Sequence, residues 1–145
     1  MLKRINYISS FIKDMSENEI EELARKAAKN NAENEITGVL MARGSVFFQI
    51  IEGPEENIDR LFTNILKDTR HEKVTTLGIQ TGDLKRLFSG WHMKAINLDT
   101  NTSERLKPVK AILDAVHAQS AIIDTLTEAM AAAAWAEILE ISSKE

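Results

Sequence analysis

Apolar and polar residues alternate along five short stretches of the chain, and this alternation predicts β-strands. The five stretches are residues 3–10, 36–43, 46–52, 73–81 and 91–98. In the first stretch, Ile5, Tyr7 and Ser9 share one face. The second and third stretches are separated by the short turn sequence RGS, so we expect them to form a β-hairpin.

Two other stretches carry apolar residues at every third or fourth position, which predicts amphipathic helices. Ser16 followed by Glu19 has the pattern of a capping box, so the first helix should begin there. Its core-facing stripe comprises Ile20, Leu23, Ala24 and Ala27 and continues to Asn31. Pro54 should open the second helix at the first helical position. The stripe of this second helix comprises Ile58, Leu61, Phe62 and Ile65.

The predicted order of elements is therefore β-α-β-β-α-β-β. This order is typical of an α+β, ferredoxin-like fold with one extra strand, in which a mixed sheet carries both helices on one face. We expect this domain to cover residues 1–98 and a C-terminal helical extension to cover residues 99–145.

The extension has a pattern of its own. Residues 107–142 contain no glycine, and Pro108 is tolerated only in a first helical turn, so we expect one long helix or two. Apolar residues recur near a heptad spacing that Gln119 interrupts; they are Val109, Ile112, Val116, Ile123, Leu126 and Met130. This seam predicts that the helices pair subunits as a homodimer or higher homo-oligomer and receive the signal of the preceding domain.

Further residues near the end of the extension support close pairing of helices. They are the small residues Ala131 to Ala134, followed by Trp135, Ile138 and Leu139 as anchors at the far end. The alternative is that the helices fold back over the open face of the sheet and leave a monomer.

Composition and charge narrow the class of protein. Hydrophobic residues make up 43% and charged residues 28% of the chain, as in an ordinary globular protein. The net charge is −4 and there is no basic run, so we expect neither nucleic acid nor a membrane as a partner. No stretch is long and apolar enough to cross a bilayer, and the polar N-terminus lacks a signal-peptide core, which favours a cytoplasmic location.

The residues that usually carry out catalysis are sparse. There is no cysteine, which excludes a disulfide, a thiol nucleophile and a thiolate metal site. His71, His92 and His117 fall in three different elements, so we expect no metal site. Glu52, beside the strand–helix junction, is a lone acid that can cap backbone N–H groups. Since no nucleotide-binding or hydrolase motif accompanies it, we expect a protein that is not an enzyme.

One glutamine stands among large apolar residues, in the stretch VFFQII at 46–51. A buried amide without hydrogen-bond partners costs roughly 1–3 kcal/mol, so Gln49 needs partners. The strand and helix periodicities predict that Gln49, Tyr7 and Asn31 face the space between the sheet and the helices. These neutral side chains either satisfy one another, which is the commoner arrangement, or bind a flat neutral ligand with donors and acceptors along its edge.

Five segments resemble one family in their order and spacing; they are INYIS, KNNAENEITGVL, FFQIIEGPEE, ILKDTRH and FSGWHM. On these segments, residues 3 to about 98 are similar to BLUF domains, which are flavin-binding sensors of blue light. The resemblance implies the ferredoxin-like fold and non-covalent FAD held between the two helices, with FMN as the alternative cofactor.

The resemblance also implies roles for single residues. Tyr7 resembles the family's photochemical electron and proton donor, and Gln49 resembles the switch between that tyrosine and the flavin N5/O4 edge. Asn31 would hold the pyrimidine edge of the ring. The other implied cofactor contacts are Leu23 and Ile65 on the ring faces, Asn30 at the rim, and Asp68, Arg70 and His71 near the polar end. Trp91 and Met93, placed in the fifth strand, would relay the signal.

The chain departs from the family at Asn64, where many relatives carry Arg or Lys, so a cation near the flavin O2 would be lost. The implied function is a blue-light photoreceptor. Light would move an electron and a proton from Tyr7 toward the flavin through Gln49, and the rearranged hydrogen bonds, with a stronger bond to the flavin C4 carbonyl, would signal through the fifth strand and the C-terminal helices.

The output partner is not identified by the sequence. Some relatives carry the domain fused to nucleotide cyclases or phosphodiesterases, and we expect no room for such a domain in this chain. The alternatives from another class of protein are a small flavin-dependent oxidoreductase and an acylphosphatase-like hydrolase on the same fold.

Overall fold

The computed structural model describes residues 1–11 and 13–144, with side chains described through residue 140. Its elements are β1 (Leu2–Phe11), α1 (Glu17–Glu33), β2 (Thr37–Arg43), β3 (Val46–Pro54), α2 (Glu55–Lys67), β4 (His71–Gly82) and β5 (Lys94–Asn97), followed by a 3-10 turn (Glu104–Leu106) and α3 (Lys107–Lys144). The prediction of an α+β, ferredoxin-like fold with one extra strand is confirmed.

The five strands form one sheet in the order β4-β1-β3-β2-β5. Adjacent strands are antiparallel except β2 and β5, which are parallel, so the sheet is mixed as predicted. In the middle of the sheet, Tyr7 of β1 stands opposite Gln49 of β3, and Arg4 stands opposite Glu52. On the other side of β3, Thr37 of β2 also stands opposite Glu52.

The two helices cover one face of the sheet, which we call the helix face. The core on this face comprises Ile20 and Ala24 of α1, Ile58 of α2, and the strand residues Ile5, Tyr7, Phe11, Leu40, Phe47 and Ile51. Side chains alternate along a strand, so Arg4, Thr37 and Glu52 lie on the opposite face, which we call the outer face.

The two helices begin near the predicted residues, with one difference. Ser16 and Glu19 form the predicted capping box, in which each side chain accepts a hydrogen bond from the backbone of the other. Pro54, however, is the N-cap of α2 and not its first helical residue, because its backbone is extended at ψ 135° and it still belongs to β3. Glu55 and Glu56 follow in the first turn, where acids favour a helix.

The fifth strand is shorter than predicted. It covers only Lys94–Asn97, so Trp91 and Met93 precede the strand and do not lie within it. Gly90 adopts φ +82° and turns the chain just before them. The carbonyl between Trp91 and Met93 is bonded by the side chain of Asn31 and not by a neighbouring strand. The carbonyl of Trp91, however, accepts from the N–H of Gly38 in β2 at 2.8 Å, so the backbone contacts the edge of the sheet before β5 begins.

The chain from Glu104 onward forms a second compact unit. Its α3 is one helix and not two, and Pro108 lies in the first turn as expected. Large apolar side chains remain exposed along it; they are Ile112, Ile122, Ile123, Leu126, Met130, Trp135, Ile138 and Leu139. Within the described part of the chain, no helix is long and apolar enough to cross a membrane.

Candidate functional site

The candidate site centres on two polar side chains on the helix face of adjacent strands. Tyr7 and Gln49 are direct cross-strand neighbours. Tyr7 is 1% exposed, and its ring meets the ring of Phe62 from α2 edge to face, with centroids 5.4 Å apart. Gln49 is only partly buried, so its amide borders the space between the sheet and the helices.

The buried Tyr7 hydroxyl has no hydrogen-bond partner among the described residues. Burial raises the pKa of this hydroxyl well above its usual range, so it stays protonated at neutral pH. An unpaired buried hydroxyl costs about 1–3 kcal/mol and is rare in native proteins. A tyrosine retained in this state beside a glutamine points to a partner that comes from outside the chain.

Asn31, the third member of the predicted polar set, is bonded elsewhere. Its side chain is buried, and Nδ2 donates to the carbonyl oxygen of His92 at 2.7 Å. Since the Tyr7 hydroxyl bonds neither Asn31 nor Gln49, the three side chains do not form the self-contained network that periodicity alone favoured. The structure instead supports the reading in which a ligand completes the set.

A groove of about 590 Å³ opens beside the first half of α1. Leu23, implied to pack on the flavin ring, lines the groove together with Phe11 and Met15. The polar side chains around it are Lys13, Lys26, Arg70, Asn18, Glu19 and Glu22. The surface is apolar, and its rim carries carboxylates as well as cations, so it suits an aromatic ring flanked by polar groups.

Asp68, Arg70 and His71 lie together between α2 and β4. Arg70 Nη2 donates to Asp68 Oδ2 at 2.5 Å, and this pairing lowers the pKa of Asp68 to about 2. His71 Nδ1 lies 3.2 Å from Ser9 Oγ, and burial lowers the pKa of the His71 imidazole. The three residues are thus one connected group, and its Arg70 lines the groove.

The other implied contacts are spread over both helices. Asn30 of α1 and Asn64 of α2 are exposed. Ile65 of α2 is half-buried and packs against the core of the helix face. Exposed amides on the two helices remain accessible to a ligand bound between them.

The two implied relay residues differ in their surroundings. Met93 is buried in the core of the helix face at 6% exposure. Trp91 is 43% exposed and stacks on Phe88, with ring centroids 6.2 Å apart. The structure therefore places the methionine, and not the tryptophan, against the core.

The sequence analysis missed a polar network on the outer face. Glu52 does cap backbone N–H groups, but they belong to Leu87 and Phe88, at 3.1 and 2.7 Å, and not to α2. Its other donors are Arg4 Nε and Thr37 Oγ1, each at 3.1 Å. Burial pushes the pKa of Glu52 up, but these hydrogen bonds outweigh it and lower the pKa. The sequence does place the opposite charges of Arg4 and Glu52 at outward strand positions. It does not reveal the strand register that pairs them.

The residues of the helix face fit a flavin. Among the described residues the Tyr7 hydroxyl lacks a partner, and Gln49 offers both donor and acceptor. Leu23 lines an open groove whose lining includes neither Tyr7 nor Gln49. These neutral groups suit a flat ring with mixed donors and acceptors along its edge. Among the described residues, no group of three or more His, Asp or Glu is arranged to hold a metal ion.

Known proteins resemble the chain over most of its length. The family model described as BLUF, sensors of blue-light using FAD, matches residues 2–94. Photoactivated adenylate cyclase subunit beta of Euglena longa is 37% identical over 106 residues, which are 70% of this chain and 12% of that protein. The blue light- and temperature-regulated antirepressor BluF of Escherichia coli K12 is 36% identical over 77 residues, 53% of this chain and 19% of that protein.

The solved structure of a bacterial light-regulated adenylyl cyclase is similar too, with a TM-score of 0.79 and 35% identity over 86% of this chain. This chain covers 36% of that protein and 12% of the Euglena cyclase subunit. The similarity therefore concerns a sensor domain within longer proteins. It supports the sensor interpretation and not the flavin-dependent oxidoreductase or the acylphosphatase-like hydrolase.

Proposed function

Because the chain belongs to the BLUF family of flavin-binding blue-light sensors, we propose that it is a photoreceptor in which Tyr7 and Gln49 convert absorbed light into a signal for an output partner. One observation carries the proposal. The buried Tyr7 hydroxyl has no partner among the residues that the structure describes, and Tyr7 is the direct cross-strand neighbour of the half-buried Gln49.

The flavin, when bound, supplies absorption of blue light and an acceptor for one electron and one proton. Tyr7 donates both, since its hydroxyl is protonated at neutral pH. Gln49 lies beside it and passes the proton, after which its donor and acceptor ends are exchanged by rotation of the amide or by a change of tautomer. Tyr7 regains its hydrogen when the charge returns, so the cycle consumes no substrate.

The chain holds the ring of the cofactor between α1 and α2 in this proposal. Leu23 and Ile65 pack on its two faces, and Asn30 stands at the rim. Nδ2 of Asn31 is already bonded to a backbone carbonyl, so Asn31 offers its side-chain oxygen to an N–H of the ring edge. Asn64 offers a neutral amide where many family members have a cation, which lowers the affinity for the ring.

For the cofactor we propose FAD over FMN. Phe11 and Met15 line the same groove as Leu23 and give apolar surface for an adenine. Lys26 and Arg70, which line it together with Glu19 and Glu22, are the proposed partners for phosphates. Titration of flavin-free protein with FAD and with FMN tests this assignment. We expect tighter binding of FAD, and we expect Lys26→Ala to weaken FAD more than FMN. Equal affinities would contradict the assignment.

The absorption spectrum before and after blue light tests the function itself. We expect the flavin bands to shift slightly to the red, to return in darkness, and to remain those of oxidised flavin without added reductant. Gln49→Leu should keep the flavin and lose the shift. Gln119→Leu makes the same change in α3, at the position that interrupts the heptad seam, and should keep the flavin and the wild-type red shift. A protein that cannot be loaded with flavin, or a normal shift in Gln49→Leu, would refute the proposal.

We propose further that α3 pairs with a second copy of the chain. Its heptad seam runs from Val109 to Met130, and the exposed Ile123, Leu126 and Met130 are large apolar side chains in need of cover. The next core positions of the same repeat are Ala133, Glu137 and Glu140. Like charges facing each other there would repel, so the paired segment ends near Ala133.

Light scattering on the full chain tests the pairing. Leu126→Glu puts a charge into the seam and should yield monomers. Thr125→Glu puts the same charge on the adjacent exposed position, about 100° around the helix, and should leave the pairing intact. A monomeric wild type, in darkness and in light, would rule out the pairing.

Trp135, Ile138 and Leu139, which the sequence analysis expected to anchor the far end of the pairing, lie outside the core positions of the heptad and are 64%, 52% and 65% exposed. We assign this patch to the output partner, whether a separate protein or a further domain. Glu137 and Glu140 flank the patch, so its partner surface is apolar with a basic rim. Trp135→Ala should preserve the red shift and the pairing while it abolishes the light-dependent output in cells.

A net charge of −4 opposes polyanions as partners, and the cytoplasm is the location we propose.

A further inference from the structure

The connection from β4 to β5 crosses the whole sheet. The two strands form opposite edges, so residues 83–93 must pass β1, β3 and β2. One outward side chain from each of these strands meets the connection: Arg4 from β1, Glu52 from β3 and Thr37 from β2. All three are buried, and they are neighbours across the ladder.

Glu52 is the centre of this arrangement. Its side chain is 1% exposed, and each carboxylate oxygen accepts two hydrogen bonds. Oε1 accepts from Phe88 N and Thr37 Oγ1, and Oε2 accepts from Leu87 N and Arg4 Nε. Four donors satisfy the buried charge. Through them the Glu52 side chain, which β3 carries, is hydrogen-bonded to β1, to β2 and to the connection.

Two arginines add further bonds to the connection. Arg4 Nη2 donates to the carbonyl of Lys85 at 2.7 Å. Arg86 Nη1 donates to Thr37 Oγ1 at 2.9 Å, and its Nη2 donates to the carbonyl of Glu35 at 2.6 Å. We call Arg4, Thr37, Glu52 and Arg86 the outer-face network.

From this geometry we propose that Glu52 is a positioning residue of the sensor, whose carboxylate holds Leu87 and Phe88 of the β4–β5 connection on the outer face. Together with the N–H of Gly38, which donates to the Trp91 carbonyl at 2.8 Å, it sets the resting position of Trp91 and Met93. The inference rests on the proposed function, because it takes these two residues as part of the signal path. Glu52 follows Gln49 by three residues on β3, on the other face of the strand. A light-induced shift of β3 against β1 and β2 therefore weakens the bonds of Glu52 directly and frees the connection.

Hydrogen exchange of the flavin-loaded full chain, in darkness and under blue light, tests the inference. In the wild type we expect the Leu87 and Phe88 amides to be protected in darkness and to exchange faster in light. In Glu52→Gln an N–H donor replaces one acceptor, so these amides should exchange at least roughly tenfold faster in darkness, with little further change in light. The red shift should remain, and the amides of β1 and β3 should keep their protection.

Glu56→Gln makes the same change at an exposed position of α2 and should match the wild type in every readout. Unchanged dark exchange at Leu87 and Phe88 in Glu52→Gln would overturn the proposal, as would wild-type amides that do not respond to light. A wild type without a red shift would instead overturn the proposed function. If Glu52→Gln does not fold, Glu52→Asp keeps the charge but shortens the side chain by one methylene, so the carboxylate no longer reaches all four donors. Unchanged exchange of the same two amides in that variant overturns the proposal.

Discussion

Gln49 and Glu52 lie three residues apart on β3 and show opposite ways of keeping a polar side chain inside a sheet. Gln49 faces the helices, beside the Tyr7 hydroxyl, which has no hydrogen-bond partner in the described part of the chain. Glu52 faces outward, and four donors satisfy its carboxylate. One strand therefore carries an incomplete neutral site on one face and a complete charged site on the other.

The chemistry of the two groups explains the difference. A buried charge that loses its partners costs several kcal/mol, so a carboxylate is tolerated only where its bonds are complete, and complete bonds fix its position. A neutral amide can exchange its donor and acceptor ends at lower cost. We accordingly propose an amide as the switch of this sensor and a carboxylate as its anchor. The following substitutions are ordered by their expected loss in the free energy of unfolding, from Glu52 on the outer face to Tyr7 on the helix face.

The largest loss is expected for Glu52→Ala. It removes the carboxylate that pairs with Arg4 and leaves Arg4 Nε and the amides of Leu87 and Phe88 without their acceptor, and removing one partner of a buried ion pair costs roughly 3–5 kcal/mol. Urea unfolding of the flavin-free protein measures the change. Glu56→Ala, at an exposed position, should stay within about 0.5 kcal/mol of the wild type. Equal losses in the two variants would show that the outer-face network does not stabilise the fold.

A smaller loss is expected for Asn31→Ala. The carbonyl of His92 loses the donor that lies 2.7 Å away, and an unsatisfied buried carbonyl costs roughly 1–3 kcal/mol. The same substitution removes the proposed hydrogen bond to the ring edge, so flavin affinity should also fall by about tenfold. Unfolding and flavin titration measure the two effects. Asn30→Ala changes the exposed neighbouring residue and should leave the free energy of unfolding unchanged. If Asn31→Ala binds flavin as tightly as the wild type, the proposed role of Asn31 is contradicted.

Periodicity and capping were enough to predict most of the fold. The capping box at Ser16 fixed the start of α1, and the alternation around Gln49 assigned the correct residues to each face of β3. The fifth strand was predicted too long because Trp91 and Met93 are apolar and spaced as in a strand. Their backbone is instead directed by Gly90 and by the side chain of Asn31, which lies far away in the sequence.

The site divides in the same way. Tyr7 and Gln49 could be predicted together because each lies on a regular strand, so their faces follow from alternation. The partners of Glu52 could not, because the path of residues 83–93 across the sheet leaves no periodic pattern. Arg4 and Leu87 meet at one carboxylate only through strand register and the course of that connection.

A still smaller loss is expected for Asp68→Asn at neutral pH. The folded-state pKa of Asp68 is about 2, lowered chiefly by the hydrogen bond from Arg70, against an unfolded value near ~4. Because the folded pKa is the lower one, the stabilisation is present above about pH 4 and is lost as the pH falls toward 2. Arg70 is 65% exposed, so solvent screening limits the effect to less than about 1 kcal/mol. At pH 6 the free energy of unfolding of Asp68→Asn should be lower than that of the wild type, and near pH 2.5 the two values should be equal. A difference that persists at the lower pH would contradict the pairing of Asp68 with Arg70.

The smallest change in stability, and the greatest contrast with function, is expected for Tyr7→Phe. In the flavin-free protein the hydroxyl has no partner among the described residues, so its removal loses no hydrogen bond and ends the cost of burying an unpaired group. The ring packing against Phe62 remains. The free energy of unfolding should therefore stay within about 0.5 kcal/mol of the wild type or rise, while the red shift disappears completely because the electron and proton donor is gone. Urea unfolding and the absorption spectrum measure both in one preparation, and a loss of more than about 1 kcal/mol would mean that the hydroxyl already has a bonding partner within the chain.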